Sequence, residues 1–401
     1  MGIPSASALR YRDEHAYVAP HRQDVPLDPY LSKKLSVLRF LAVASVVVYH
    51  TYRFAPGTFI VPPPPAHSVA DFVEGYISLA LMRWALPFLG LVSGYLFFRS
   101  LTPSVAGFVG KLRSRVRTLL VPFLIWSGVG VLFAVAVTHS PYRGISDYWT
   151  IHSLGEALDR WLLHPVIYPL WFLQALMTCM LLSPLVYLAV KTLRGWVLVI
   201  AVLWWALGWQ PLVLWPWVSA TAFPPFIVGA AIAILGWKAP WAQRKAAPAW
   251  LTAAVALAWL GTAALFAVYG HDLGRWARAG LLPVVVLGIL SVWLGFDTLK
   301  SLLRPPAWLV AAGLFVAPLS FFVYVTQEPT LAVLRAFIRT HLPAYVQRSG
   351  GESQALALVL YLLALTIAIA GSIGAALLLR RLAPHVYALT TGGRGPRRRV
   401  Y

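Results

Sequence analysis

Ten apolar segments, most of them at or above the ~20 residues that a spanning helix needs, dominate this chain of 401 residues. They run 35–53, 77–99, 119–138, 168–190, 195–209, 213–236, 249–269, 278–296, 308–334 and 355–379. The fifth is short, and its border with the sixth, around WQPLVLWPW, is the least sharp. Apolar residues make up 59% of the chain and charged residues 11%, where a soluble domain carries roughly 25% charged residues. A soluble protein of this composition would expose far too much apolar surface, which excludes that class. The expected fold is all-α, a polytopic integral membrane protein of about ten transmembrane helices. Eighteen Trp and seventeen Tyr suit two membrane–water interfaces.

A net charge of +20 would ordinarily raise nucleic acid as a partner. Its distribution points elsewhere. With the N-terminus in the cytoplasm, cytoplasmic segments hold 23 of the 33 Lys and Arg residues and outside segments hold nine; the last, Arg39, is within the first span. That bias follows the positive-inside rule, places both termini in the cytoplasm and agrees with an even number of spans. The basic charge is therefore mainly topological, with a secondary attraction to anionic membrane lipids and no nucleic acid expected as a partner.

Residues 1–34 form a polar leader without a cleavable signal, expected to be disordered. A membrane domain over 35–381 and a basic cytoplasmic tail over 382–401 follow, the last stretch TTGGRGPRRRVY also expected to lack order. Cys179 stands alone, so no intramolecular disulfide is available. No internal repeat is evident, which weighs against a transporter built of duplicated halves. The oligomeric state is not legible in the sequence.

Within LSVLRFLAVASVVVYHTY, Arg39 and His50 are eleven residues apart. In a helix that spacing is roughly 20° past three full turns, so both side chains point the same way about 16 Å apart along the axis. A cation and a titratable base inside one span are costly and need a reason. Snorkelling to lipid phosphate accounts for Arg39 alone, and an interfacial position accounts for His50 alone. Jointly they suit chemistry: a neutral imidazole takes a proton from a hydroxyl, and a guanidinium holds carbonyl or phosphate oxygens.

Three further stretches carry polar groups in apolar surroundings. KLRSRVRTLLVPFLIW places Lys111, Arg113, Arg115 and Arg117 together, a positive-inside signal that also suits a phosphorylated ligand. PLWFLQALM contains Gln174, which needs a partner in its apolar run. SFFVYVTQEPTLAVLRAF contains Gln327 and Glu328 ahead of Pro329; a carboxylate there requires a partner or a proton, with Arg39 and His50 the candidates. The small residues of LPFLGLVSGYLFF are explained by close helix packing.

These blocks resemble the acyltransferase 3 family, integral membrane proteins that O-acylate glycans, lipids and other acceptors. The resemblance runs from about residue 33 to 380 and is most specific in the Arg39–His50 spacing. It implies acyl-CoA, usually acetyl-CoA, as co-substrate from the cytoplasm, no metal, and a glycan or glycolipid hydroxyl at the outer face as acceptor, in a bacterial inner membrane. By the same resemblance His50 is the catalytic base and Arg39 positions the thioester arm. Arg113, Arg115 and Arg117 are by it the candidates for the nucleotide phosphates, while the residues themselves suggest that Glu328, Gln327 and Gln174 line a polar cavity. Two departures stand out. Gln327 occupies a position where relatives often carry histidine, and ALPFLG lacks the Asp that many relatives hold before SGY. The alternative reading is a proton-coupled transporter or exporter of a glycan or acylated metabolite, since such a carrier also holds intramembrane Arg, His and Glu. A non-catalytic scaffold of envelope synthesis is the third.

Overall fold

The computed structural model describes residues 27–52, 65–140, 150–208, 217–236, 246–341 and 354–393. Most of the leader, the WQPLVLWP stretch and the end of the basic tail lie outside the described residues. All regular structure among the described residues is helical. Sixteen α-helices follow in order: α1 Pro29–Thr51, α2 Val69–Glu74, α3 Ala85–Arg99, α4 Val105–Arg115, α5 Val121–Thr138, α6 Leu154–Leu162, α7 Trp171–Leu181 and α8 Ser183–Leu193. Then come α9 Trp196–Leu207, α10 Phe223–Ile234, α11 Ala249–Tyr269, α12 Ala277–Leu303, α13 Ala307–Val316, α14 Ser320–His341, α15 Gln354–Leu382 and α16 Pro384–Thr390.

The ten apolar segments are mainly helical in their described parts, with 217–222 non-helical, and they do not map onto ten uniform spans. By length and apolarity five helical runs qualify to cross a membrane, and six if the pair α7–α8, bent by 62°, is one span. One qualifying run, Ala249–Leu303, holds both α11 and α12, which a short 3₁₀ stretch with Gly274 at φ 50° separates. α9 and α10 have 12 residues each, too short alone for the ~20 a straight crossing requires. The protein is an all-α integral membrane protein whose spans are broken more often than hydropathy implies.

α1 sits at the centre. Asp28 caps it by accepting from the Tyr30 amide at 3.2 Å, and Pro29 opens its first turn. The face Leu31, Leu35, Leu38, Ala42 and Val46 recurs at helical spacing and is buried against α3, α14 and α15. Helix order begins before residue 35. Lys34, assigned to the leader on polarity, is 1% exposed and ion-paired at 2.6 Å with Asp297 of α12. The Tyr30 hydroxyl donates to the other oxygen of Asp297, and the Lys34 ammonium lies 3.7 Å above the Trp293 ring.

α3 and α10 make the closest helix pair. A Cβ on Gly94 would lie 2.1 Å from the Phe226 carbonyl oxygen, and one on Gly229 would lie 2.0 Å from that of Leu91. Gly94 of SGYLFF and Gly229 of α10 therefore serve backbone approach. Gly94→Val is expected to destabilise by more than the ~1–3 kcal/mol of ordinary overpacking, because backbone rather than a side-chain tip must move. Loss of monodisperse protein on gel filtration in detergent checks it.

At the other end of the chain, α16 folds back on the bundle. Tyr387 is buried and stacks on Phe322, and the Trp126 indole donates to the Thr390 carbonyl at 3.0 Å. Order thus extends to Gly393, past the start of the expected tail. The aromatic ring of Tyr387 supplies the apolar burial that the surrounding basic composition conceals.

Candidate active site

The last turn of α1 carries His50. It is 7% exposed and lines a cleft of about 680 Å³, open mouth included, between α1, the turn before α3, α7, α9 and α12. The imidazole meets the Tyr168 ring edge-on at 5.9 Å and the Tyr49 ring at 5.1 Å, contacts that set its tilt. Tyr168 opens the PLWF turn ahead of α7, and the carbonyl of Pro169 accepts the hydroxyl of Tyr324 on α14. Tertiary contacts thus bring the turn before α7 against α1.

Arg39 lies eleven residues before His50, near the middle of α1. Its side chain folds back along the helix, Nε donating to the Leu35 carbonyl at 3.2 Å and a terminal nitrogen reaching Ser36 Oγ at 3.5 Å. Helical side chains lean toward the N-terminus, so the guanidinium is carried away from His50. Leu35, Val43 and Val46 on the same stripe are buried, whereas Arg39 is exposed. The shared stripe survives folding; a shared site does not, because the axial separation exceeds either side chain's reach.

The basic cluster divides between two faces. Arg113 and Arg117 are exposed, while Arg115 is half-buried with Lys111 within Coulombic range. The chain passes from α4 into a π-turn over Val116–Leu120. Lys111 donates to Ser100 Oγ at 2.6 Å, and the buried Nε of Arg115 has no hydrogen-bond partner among the described residues. Such an orphaned donor suits an anionic ligand.

The remaining expected polar residues are buried in helix interiors. Gln174 is fully buried and donates to the Leu163 carbonyl at 2.8 Å, tying the loop after α6 to α7. Gln327, equally buried, donates to the Tyr324 carbonyl at 3.0 Å. The side-chain oxygens of both amides lack hydrogen-bond partners. Glu328 is 1% exposed, on the helix that packs along α1 and about one turn beyond Tyr324. Gln174, Gln327 and Glu328 are not among the side chains lining the His50 cleft.

The sequence reading did not single out most of the lining, including its polar and aromatic members Tyr49, Arg83, Tyr168, Trp205, Thr221 and Arg278. Arg83 lies over the Tyr49 ring at 4.7 Å and donates from Nε to the Leu79 carbonyl at 2.9 Å. Arg278, in the first turn of α12, comes within Coulombic range of Arg83. A signal was present for Arg83, which sits inside the apolar stretch ISLALMRWALPF as Arg39 sits in its own.

Residues 32–381 match a family model described as an acyltransferase domain, the acyltransferase 3 family. The chain is 28% identical over 389 residues to the succinoglycan biosynthesis protein ExoH of Rhizobium meliloti (strain 1021), a match covering 93% of this chain and 95% of that protein. No solved structure matches the chain. The family match reaches from the first turns of α1 to the end of α15 and so takes in every helix around the His50 cleft. The chain belongs to the acyltransferase 3 family.

Proposed function

We propose that this acyltransferase moves an acyl group, acetyl in the simplest case, from cytoplasmic acyl-CoA to a hydroxyl of an envelope polysaccharide or glycolipid at the opposite membrane face. The observation that carries this reading is His50 in a cleft at one end of α1, with Arg39 and the basic α4 segment available elsewhere in the bundle. Similarity to a protein named for succinoglycan biosynthesis supports a polysaccharide acceptor. The membrane is a bacterial inner membrane, with both termini cytoplasmic and the His50 cleft facing outward.

In this reading His50 takes the proton of the acceptor hydroxyl as that oxygen attacks the thioester carbonyl. The new C–O bond forms, the C–S bond breaks, and the proton passes from the imidazolium to the departing thiolate. Arg39 orients the donor arm. Arg115, with its orphaned Nε, holds phosphate together with Lys111, Arg113 and Arg117.

Membranes containing the protein, incubated with acyl-labelled acetyl-CoA and envelope polysaccharide, are expected to transfer label to the polysaccharide as a base-labile ester. Consumption of no acyl-CoA by active membranes, with intact polysaccharide exported instead, would favour the transporter. Charge reversal by Arg115→Glu is expected to raise the KM for acyl-CoA about tenfold or more, the loss of one charge-assisted contact plus repulsion. An unchanged KM would reduce this cluster to a topology signal.

A further inference from the structure

The His50 cleft is rich in hydrogen-bond donors and cations. Arg83 and Arg278 both line it, and among its described lining residues there is no Asp or Glu. The two guanidiniums come within Coulombic range of one another at this one cleft, a concentration of positive charge that attracts an anion. Two donors that line the cleft have no hydrogen-bond partner among the described residues: the buried Tyr49 hydroxyl and the buried Trp205 indole nitrogen, Trp205 being 6% exposed. A buried donor without an acceptor costs free energy that a bound oxygen anion recovers.

The backbone makes room for this arrangement. α9 ends at Gly208, with φ 63°, and a Cβ there would lie 2.2 Å from Cδ of Arg278. Glycine is therefore required twice at that position, for the left-handed turn and for the passage of the Arg278 side chain.

We propose that the Arg83–Arg278 pair, with Tyr49 and Trp205, binds an anionic oxygen group, a carboxylate or phosphate, carried by the substrate that reacts beside His50. This deepens the acyl-transfer reading and rests on it for the word substrate; anion binding itself does not require transfer. The anion has two possible sources, the far end of a dicarboxylic acyl chain or an acidic group on the acceptor. In both, the guanidiniums orient the reacting group by forked contacts while His50 handles the proton.

The test is binding, read as melting temperature of the purified full-length protein in detergent. One arm compares the N-acetylcysteamine thioesters of succinate and acetate. The other compares a glucuronate-containing oligosaccharide with its carboxyl-reduced form. The anionic member of one pair is expected to raise the melting temperature by about 2 °C or more, and the neutral member to leave it unmoved. The pair that responds identifies the source. Arg83→Gln/Arg278→Gln should abolish the rise, and Gly208→Ala, which keeps both arginines but obstructs Arg278, should diminish it. Equal shifts for charged and neutral members, or no shift for any compound, would overturn the proposal even if the variants fail to fold, because that comparison uses the unaltered protein. Absence of label transfer from acyl-CoA together with an anion-specific shift would instead overturn the transfer reading and leave the anion site standing.

Discussion

Replacing His50 with alanine is expected to lower acyl transfer by about 10²- to 10⁴-fold, the usual contribution of a positioned general base. The effect should fall on turnover, since the small apolar alanine leaves the cleft's other lining groups in place. His50 packs edge-on against Tyr49 and Tyr168, so its removal also loosens two ring contacts. Membrane insertion and melting temperature in detergent must therefore be measured beside activity. A folded His50→Ala protein that acylates at the normal rate would sink the assignment of the base. His50→Gln, which restores hydrogen bonding without a proton-accepting nitrogen, should remain as inactive as the alanine variant.

Asp297→Ala is expected to give the largest loss of stability, about 3–5 kcal/mol, because it strands the Lys34 ammonium in the bundle. Lys34 is 1% exposed, and Asp297 also accepts from the Tyr30 hydroxyl, so removing the carboxylate breaks two contacts between α1 and α12. The Trp293 face beneath Lys34 compensates only partly. Replacing both charges by Lys34→Met/Asp297→Leu should recover most of the loss, since the desolvation cost of both ions disappears with their attraction. Melting temperatures of the single and double variants check this. A double variant no more stable than Asp297→Ala would show that the ion pair is not the source of the effect.

The helical, membrane-embedded character of the chain was legible because hydrocarbon sorts residues by composition alone. The number of spans was less so. Hydropathy treats 195–209, 213–236 and 168–190 as straight segments, whereas α9 and α10 have 12 residues each and α7–α8 bends by 62°. Polarity likewise assigned Lys34 to a solvated leader and Tyr387 to a solvated tail, yet both are buried. Composition along the chain does not register an aspartate arriving from α12 or an aromatic shelf supplied by Trp126 and Phe322.

The Arg39–His50 spacing by itself determined that a cation and a base share one stripe of one helix, because helical periodicity is a local property of the backbone. It also located the family, through motifs that stay in order along the chain. Only the tertiary structure decided that the Arg39 head group folds back along α1 while His50 enters a cleft that Arg39 does not line, since rotamer direction and the neighbouring helices set where each head group goes. It alone assembled Arg83, Trp205 and Arg278 around His50 from three separate parts of the chain. Side-chain contacts between distant segments depend on how helices cross and bend, and no local periodicity encodes them.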